Sequence, residues 1–295
     1  MKKLYVPIVT PFRQDETVDY EALKKLTKGL LAEGADGIYA CGSSAECFLM
    51  TGEERMKALE AVISAADGAP VIAHVGAMGT RLSADLARHA ERAGASMISS
   101  VPPFYFSYGF KALKEYYWEL ADSVKIPLMI YYIPSNTGNH LDASQLTEIM
   151  EGRENIVSIK FTSYDYYEMQ QLHERTKKQV ISGKDECFLA AMAMNADGAI
   201  GTTFNCYLGH YKKILSFLEQ KDLQSAYRVQ CKANEITREL CSVNLFAGVK
   251  ALLQYKGYDA GIPRRPNCVL DEESRRQLIR CFEENQIERR KGNNV

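Results

Sequence analysis

From residue 3 onward one pattern repeats along the chain: a short apolar run, a loop containing Gly, Pro, Ser or Thr, and then a stretch with helical period. The apolar runs are Leu4 to Val9, Gly37 to Ala40, Pro70 to Val75, Met97 to Val101, Pro127 to Tyr131, Ile156 to Lys160, Gln179 to Ser182 and Gly198 to Gly201. Strands that alternate with helices pair in parallel through right-handed crossovers. Eight such units predict a closed (β/α)8 TIM barrel of the α/β class. An open, doubly wound sheet is the competing topology, but no G-x-G-x-x-G follows the first run.

The intervening segments carry their own signals. Leu23, Leu26 and Leu30 recur at helical spacing, Thr51 with Glu54 forms a capping box, and Asp142 with Gln145 opens a helix that Gly152 closes. Thr51 and Glu54 are assigned to capping alone. After residue 205 strand signals cease, and "YKKILSFLEQ", "LQSAYRVQCKANEITREL", "FAGVKALLQYKG" and "SRRQLIRCFEEN" all read as helices. The expected organisation is a catalytic barrel over residues 1–225 and a C-terminal helical appendage over 226–295, with the polar tail "ERRKGNNV" frayed. A chain of 295 residues accommodates this as one large unit, since such barrels run to about 250 residues.

Composition narrows the function. A net charge of -1 offers no electrostatic footprint for nucleic acid. No run approaches the roughly 18 apolar residues of a membrane span, and the start "MKKLYVPIVTPF" has no continuous apolar core of a signal peptide, so a cytoplasmic location is expected. The eight cysteines form no C-x-x-C pair and the five histidines no ligand spacing, which predicts reduced structural thiols and no metal site.

Active sites of such barrels lie at the C-terminal ends of the strands. The residues closing the runs are Ser43 and Ser44 after the second, Tyr105 after the fourth, Tyr131 at the fifth, Lys160 and Thr162 at the sixth, Gly183, Asp185 and Glu186 after the seventh, and Thr202 after the eighth. In "IVSIKFTSYD", strand alternation puts Lys160 on a face with Ile156 and Ser158, and Val157, Ile159 and Phe161 on the other. A lysine in a barrel mouth loses water, which lowers its pKa from about 10.4 and frees an amine to attack a ketone. The Schiff base formed is an electron sink that lets an adjacent carbon–carbon bond break without a metal. Tyr131, on the neighbouring strand, offers a phenol for proton transfer. Ser43 and Ser44 sit in a Gly-containing turn suited to a carboxylate. Asp185 and Glu186 open a helix or accept bonds from substrate hydroxyls, and Tyr105 lies in an aromatic loop suited to packing against another subunit.

The ordered segments "GSSAE", "YYIPSNTG", "IKFTSYDYYEM", "SGKDE" and "ADGAIGTTFN" resemble those of the dihydrodipicolinate synthase and N-acetylneuraminate lyase family of pyruvate-dependent class I aldolases. The resemblance runs from "VPIVTPF" to "IPRRP" and covers nearly the whole chain. It implies that Lys160 forms the Schiff base, that Tyr131 shuttles protons, and that Ser43 and Ser44 bind the pyruvate carboxylate and assist the proton relay, which makes Ser43 a catalytic residue beside Lys160, Tyr131 and Tyr105. It implies further that Tyr105 reaches a partner subunit's site in a homotetramer built as a pair of dimers, and that no cofactor is needed.

The lyase branch is the closer match. Thr162 falls in "KFTSYDYYEM", and Gly183, Asp185, Glu186 and Thr202 match sugar-binding positions. Asn136 stands where the synthase branch has an arginine for a dicarboxylate, Ala45 where a glycine is usual, Tyr132 where asparagine is common, and Lys184 where sialate lyases often carry an aromatic. The function expected is cleavage of N-acetylneuraminate to N-acetylmannosamine and pyruvate. The alternatives are a 2-keto-3-deoxy sugar acid aldolase, a 4-hydroxy-tetrahydrodipicolinate synthase, and a non-catalytic pyruvate or sugar-acid sensor.

Overall fold

Residues 2–287 are described by a computed structural model, so the expectation for the tail at 288–295 lies outside the described residues. Eight strands, β1 (Lys3–Pro7), β2 (Gly37–Ala40), β3 (Val71–His74), β4 (Met97–Ser100), β5 (Leu128–Tyr132), β6 (Ile156–Phe161), β7 (Gln179–Ser182) and β8 (Gly198–Ile200), pair in parallel in sequence order. β8 returns to β1, with Lys3 opposite Gly198, and closes the barrel. Helices α1 (Tyr20–Ala32), α2 (Gly52–Ala65), α3 (Thr80–Ala93) and α4 (Phe110–Asp122) follow the first four strands. After β5 come a single turn, α5 (Pro134–Thr137), and then α6 (Ala143–Glu151); α7 (Tyr166–Thr176), α8 (Phe188–Ala193) and α9 (Phe204–Glu219) follow β6 to β8.

Alternation along each strand divides the core into two layers. Outward-facing Leu4, Val6, Ile38, Ala40, Ile98, Ile130, Ile159 and Val180 pack against the helices, while Tyr39, Ile72, Val101, Met129, Tyr131, Ile181 and Ile200 fill the lumen. Such lumenal layers make the barrel a packed core rather than a pore, which leaves the strand ends as the place for chemistry.

One strand departs from strict alternation. Ile156 packs in the outer cluster with Ile159 and Phe161, not on the face of Lys160. The β5–β6 register shifts between Leu128, opposite Ile156, and Met129, opposite Ser158, so Val157 is the extra residue of a bulge. A bulge reverses the faces of everything before it, and here it allows Ile156 to join the outer layer while Ser158 and Lys160 point inward.

Both capping boxes are present: Thr51 Oγ1 accepts from Glu54 N–H (3.1 Å) and Asp142 Oδ1 from Gln145 N–H (2.8 Å), with each return bond made. Glu54 does more than cap, because Arg264 also grips it bidentately at 2.7 and 2.9 Å. That contact ties α2 to the far end of the chain.

The C-terminal helices are α10 (Leu223–Ser242), α11 (Leu245–Tyr255) and α12 (Glu272–Glu284). Asp222 caps α10, so the expected boundary at residue 225 falls in its first turn. α10 lies along α9 and touches α8 and the turn after β7, while α12 packs on α10 and α11. No helix among the described residues is long and apolar enough to cross a membrane.

Candidate active site

β6 carries Lys160 to the C-terminal end of the lumen, where it is only 5% exposed. Register pairing sets Tyr131 of β5 directly opposite it. Lys160 Nζ lies 4.0 Å from the centre of the Tyr131 ring and 4.7 Å from that of Tyr39, which crosses Tyr131 edge to face. Tyr39 is fully buried and donates its hydroxyl hydrogen to Ser99 Oγ (3.0 Å). An amine held between two aromatic faces keeps an attractive partner without a carboxylate to lock it as a salt bridge.

The next positions are packed too tightly for side chains of ordinary size. A Cβ on Gly183 would sit 2.0 Å from Thr162 Oγ1 and 3.2 Å from Lys160 Cε, so only glycine lets the β7 end pass beside both. Gly201 plays the same part for Asp185, whose Oδ1 a Cβ there would meet at 2.1 Å. Thr162 is 6% exposed, and its Oγ1 is buried with no hydrogen-bond partner among the described residues. Such a hydroxyl beside the Lys160 amine can hydrogen-bond a polar group that enters the mouth.

Asp185 is buried, and its Oδ2 accepts from Thr203 N–H (2.8 Å) and Thr203 Oγ1 (2.7 Å). Burial pushes its carboxyl up to about 6 in spite of those bonds. Glu186 lies nearer the rim, accepting from the Tyr164 hydroxyl at 2.5 Å, while Lys184 sits 4.1 Å over the Tyr164 ring and 3.7 Å from the same carboxylate. The acid in that bond drives the Tyr164 phenol well above its ordinary value. α10 fixes the backbone beneath: Gln230 donates to Asp185 O (3.1 Å) and Asn234 to Glu186 O (2.9 Å).

Across the mouth, residues 43–45 form a 3-10 turn after β2, and the hydroxyls of Ser44 and Thr202 are 2.7 Å apart. Ala45 needs no glycine here, since the positive-φ residues of this loop are Cys41 and Glu46 (φ 57° each) and not residue 45. Ser43 faces a cavity of about 340 Å³ whose lining includes Phe48, Phe104, Asn136, Phe246 and Asn267, and no arginine or lysine. Tyr132 turns outward instead, donating to Leu141 O (3.0 Å).

Lys160, Tyr131, Thr162, Gly183 and Asp185 thus converge, Thr202 beside Asp185 links them to Ser44 and Ser43 of the β2 turn, and Glu186 lies at the rim. Tyr105 does not join them. It is 81% exposed at φ 81°, stacked edge to face on Phe106. His74 is a structural neighbour of the site: its Nδ1 lies 3.0 Å from Cys41 O, Val101 N–H donates to its Nε2, and burial holds its pKa well below the usual histidine range.

Three contributors escaped the sequence pattern. Tyr39 reads there as an ordinary strand residue. Asn139, buried, joins the β5 loop to the β4 loop by donating to Pro103 O (2.8 Å). Lys250 pairs with Glu46, and the one available signal was a lysine inside the apolar run "GVKALL".

A buried amine flanked by phenols and hydroxyls at the mouth of a (β/α)8 barrel is the equipment of a class I, imine-forming aldolase. A family model for the dihydrodipicolinate synthetase family matches residues 1–285. An N-acetylneuraminate lyase of Rhizobium meliloti is 35% identical over 268 residues, 90% of this chain and 89% of that protein. Among solved structures, an N-acetylneuraminate lyase of Proteus mirabilis superposes with a TM-score of 0.92 at 29% identity, covering 97% of this chain and 98% of that one. A dihydrodipicolinate synthase of Bacillus anthracis superposes with a TM-score of 0.93 at 27% identity, over 98% and 99%. The chain belongs to the dihydrodipicolinate synthetase family. It is a carbon–carbon lyase, a class I aldolase that works through a Schiff base on a lysine and needs no cofactor.

Proposed function

We propose that this aldolase is an N-acetylneuraminate lyase with Lys160 as its Schiff-base residue. Lys160 condenses with the C2 ketone of the open-chain sugar acid, losing water. The Ser43 and Ser44 hydroxyls hold the C1 carboxylate, and Thr162 Oγ1, otherwise unpartnered, hydrogen-bonds the bound chain. Tyr131 takes the C4 hydroxyl proton as the C3–C4 bond breaks and its electrons pass into the imine. N-acetylmannosamine leaves; the enamine takes a proton at C3, and water releases pyruvate from Lys160. Gly183 gives the sugar room, while Asp185, Glu186 and Thr202 accept or share its hydroxyl hydrogens.

The observation that carries the choice of acceptor is the cavity beside Ser43, in which Asn136 offers an amide and the lining holds no cation. A second carboxylate, as in the synthase reaction, finds no guanidinium there to pair with. The similarity to lyases from other organisms at about a third identity supports the same choice. Lys184 at the rim favours a second reading, a 2-keto-3-deoxy sugar acid as substrate, because a cation there suits an acidic or smaller polar chain. A non-catalytic sensor has no use for a lysine buried against Tyr131. The eight free cysteines suit a reducing cytoplasm. We also propose a homotetramer in which Tyr105, exposed in one chain, enters a partner's site.

Pyruvate release from N-acetylneuraminate, coupled to lactate dehydrogenase, is expected from the native chain and not from Lys160→Ala. No release from folded protein that still traps pyruvate would overturn the sialate reading and point to other 2-keto sugar acids.

A further inference from the structure

Glu46 and Lys250 form an ion pair at 2.7 Å with side chains 0% and 2% exposed, and neither imine formation nor the proton relay gives it a task. Stability alone does not call for it, since burying two charges costs about as much as their attraction returns. Its effect is geometric. Glu46 is held in the left-handed region, which a residue with a Cβ adopts unwillingly, and its N–H donates to Ser43 O (2.9 Å), closing the turn that presents Ser43 and Ser44. Both of its carboxylate oxygens are occupied from the other end of the chain: Oε1 by Lys250, and Oε2 by the Arg264 N–H and the Asn267 amide, each at 2.9 Å. Lys250 is aimed in turn by Ile262 O at 2.7 Å and by the Phe12 ring at 4.5 Å. Asn267 and Phe246 also line the cavity beside Ser43.

We infer that Lys250, acting through Glu46, is a positioning residue for the carboxylate loop, so that the C-terminal helices set the affinity for the 2-oxo acid's carboxylate through one buried ion pair. The inference rests on the reading that Ser43 and Ser44 hold that carboxylate.

The test measures the pyruvate concentration that half-saturates borohydride inactivation in the native enzyme, Lys250→Met, Glu46→Gln with Lys250→Met, and Ser43→Ala with Ser44→Ala. The Glu46→Gln and Lys250→Met pair removes both charges at similar volume and leaves an amide oxygen for Arg264 and Asn267. Its half-saturation is expected to rise about tenfold, with the saturating rate and thermal midpoint near native. Lys250→Met alone is expected to melt lower than the pair, because Glu46 is left buried without its partner. Should the double replacement fail to fold, Glu46→Asp, which keeps both charges but shortens the reach, is expected to raise half-saturation in the same direction. Unchanged half-saturation in the ion-pair variants, beside a rise in the serine variant, overturns the inference. A lower saturating rate at unchanged half-saturation marks a merely structural role and overturns it too. No change in the serine variant overturns the carboxylate reading, and the inference with it.

Discussion

Asp185 combines a buried carboxyl with a position in the mouth of the barrel, and its ionisation has a measurable consequence for the fold. Its pKa is raised to about 6 by burial, above the ordinary 3.8 of the unfolded chain. Between those values the folded state binds more protons than the unfolded state, so stability falls as pH rises through that window and then levels off. Asp185→Asn should remove this slope, so that its urea stability relative to native rises by about 2 kcal/mol between pH 4 and pH 6.5. Parallel pH profiles of the two proteins would contradict the assignment. At Tyr131, replacement by Phe keeps the ring that Lys160 lies over but removes the proton carrier. Turnover should fall by about 10²–10⁴-fold while pyruvate remains trappable by borohydride. Lys160 and Tyr131 are visible in the sequence because each closes an apolar run and the two runs form adjacent strands. Tyr39, the other ring under the amine, was not, since nothing local tells which face of "GIYA" turns into the lumen.

At the scale of elements, the strand and helix pattern was legible almost throughout because hydrophobic periodicity and caps are local properties. The capping boxes on α2 and α6 are examples, and Thr51→Ala should cost about 1 kcal/mol of stability with little effect on kinetics. Glu54→Ala is expected to cost more, since it loses the Arg264 grip as well as the cap; equal chemical-denaturation midpoints would speak against that added role. Two features were beyond local reading. The bulge in β6 moves Ile156 to the outer layer, and it depends on how β5 pairs, which alternation in one strand does not reveal. The Glu46–Lys250 pair joins residues 204 positions apart, with no spacing rule to connect them.

For the whole molecule, closure of eight parallel strands gathers loops from along the chain at one end, and this is why residues between 43 and 202 meet. The C-terminal helices contribute as well: α10 holds the backbone of the β7 turn, and the segment from α11 to Asn267 holds Glu46. The motif order made the family recognisable in the sequence, but whether a side chain exposed in a single chain, such as Tyr105, meets a second chain is not written in any local pattern. If Tyr105 completes a partner's site, the native protein should sediment as a tetramer. Tyr105→Phe should then lower turnover by at least about tenfold without changing the sedimentation coefficient or abolishing imine formation. A fully active monomer would rule that arrangement out.

If Lys160 is the Schiff-base residue, its amine nitrogen forms the carbon–nitrogen bond through which the substrate is cleaved. Borohydride reduction in the presence of pyruvate, followed by peptide mass mapping, locates that bond. A single reduced pyruvate adduct is expected on the peptide containing "SIKFTS", with loss of activity in proportion to its formation and no adduct in folded Lys160→Ala. An adduct on another lysine, or inactivation that leaves Lys160 unmodified, would contradict it.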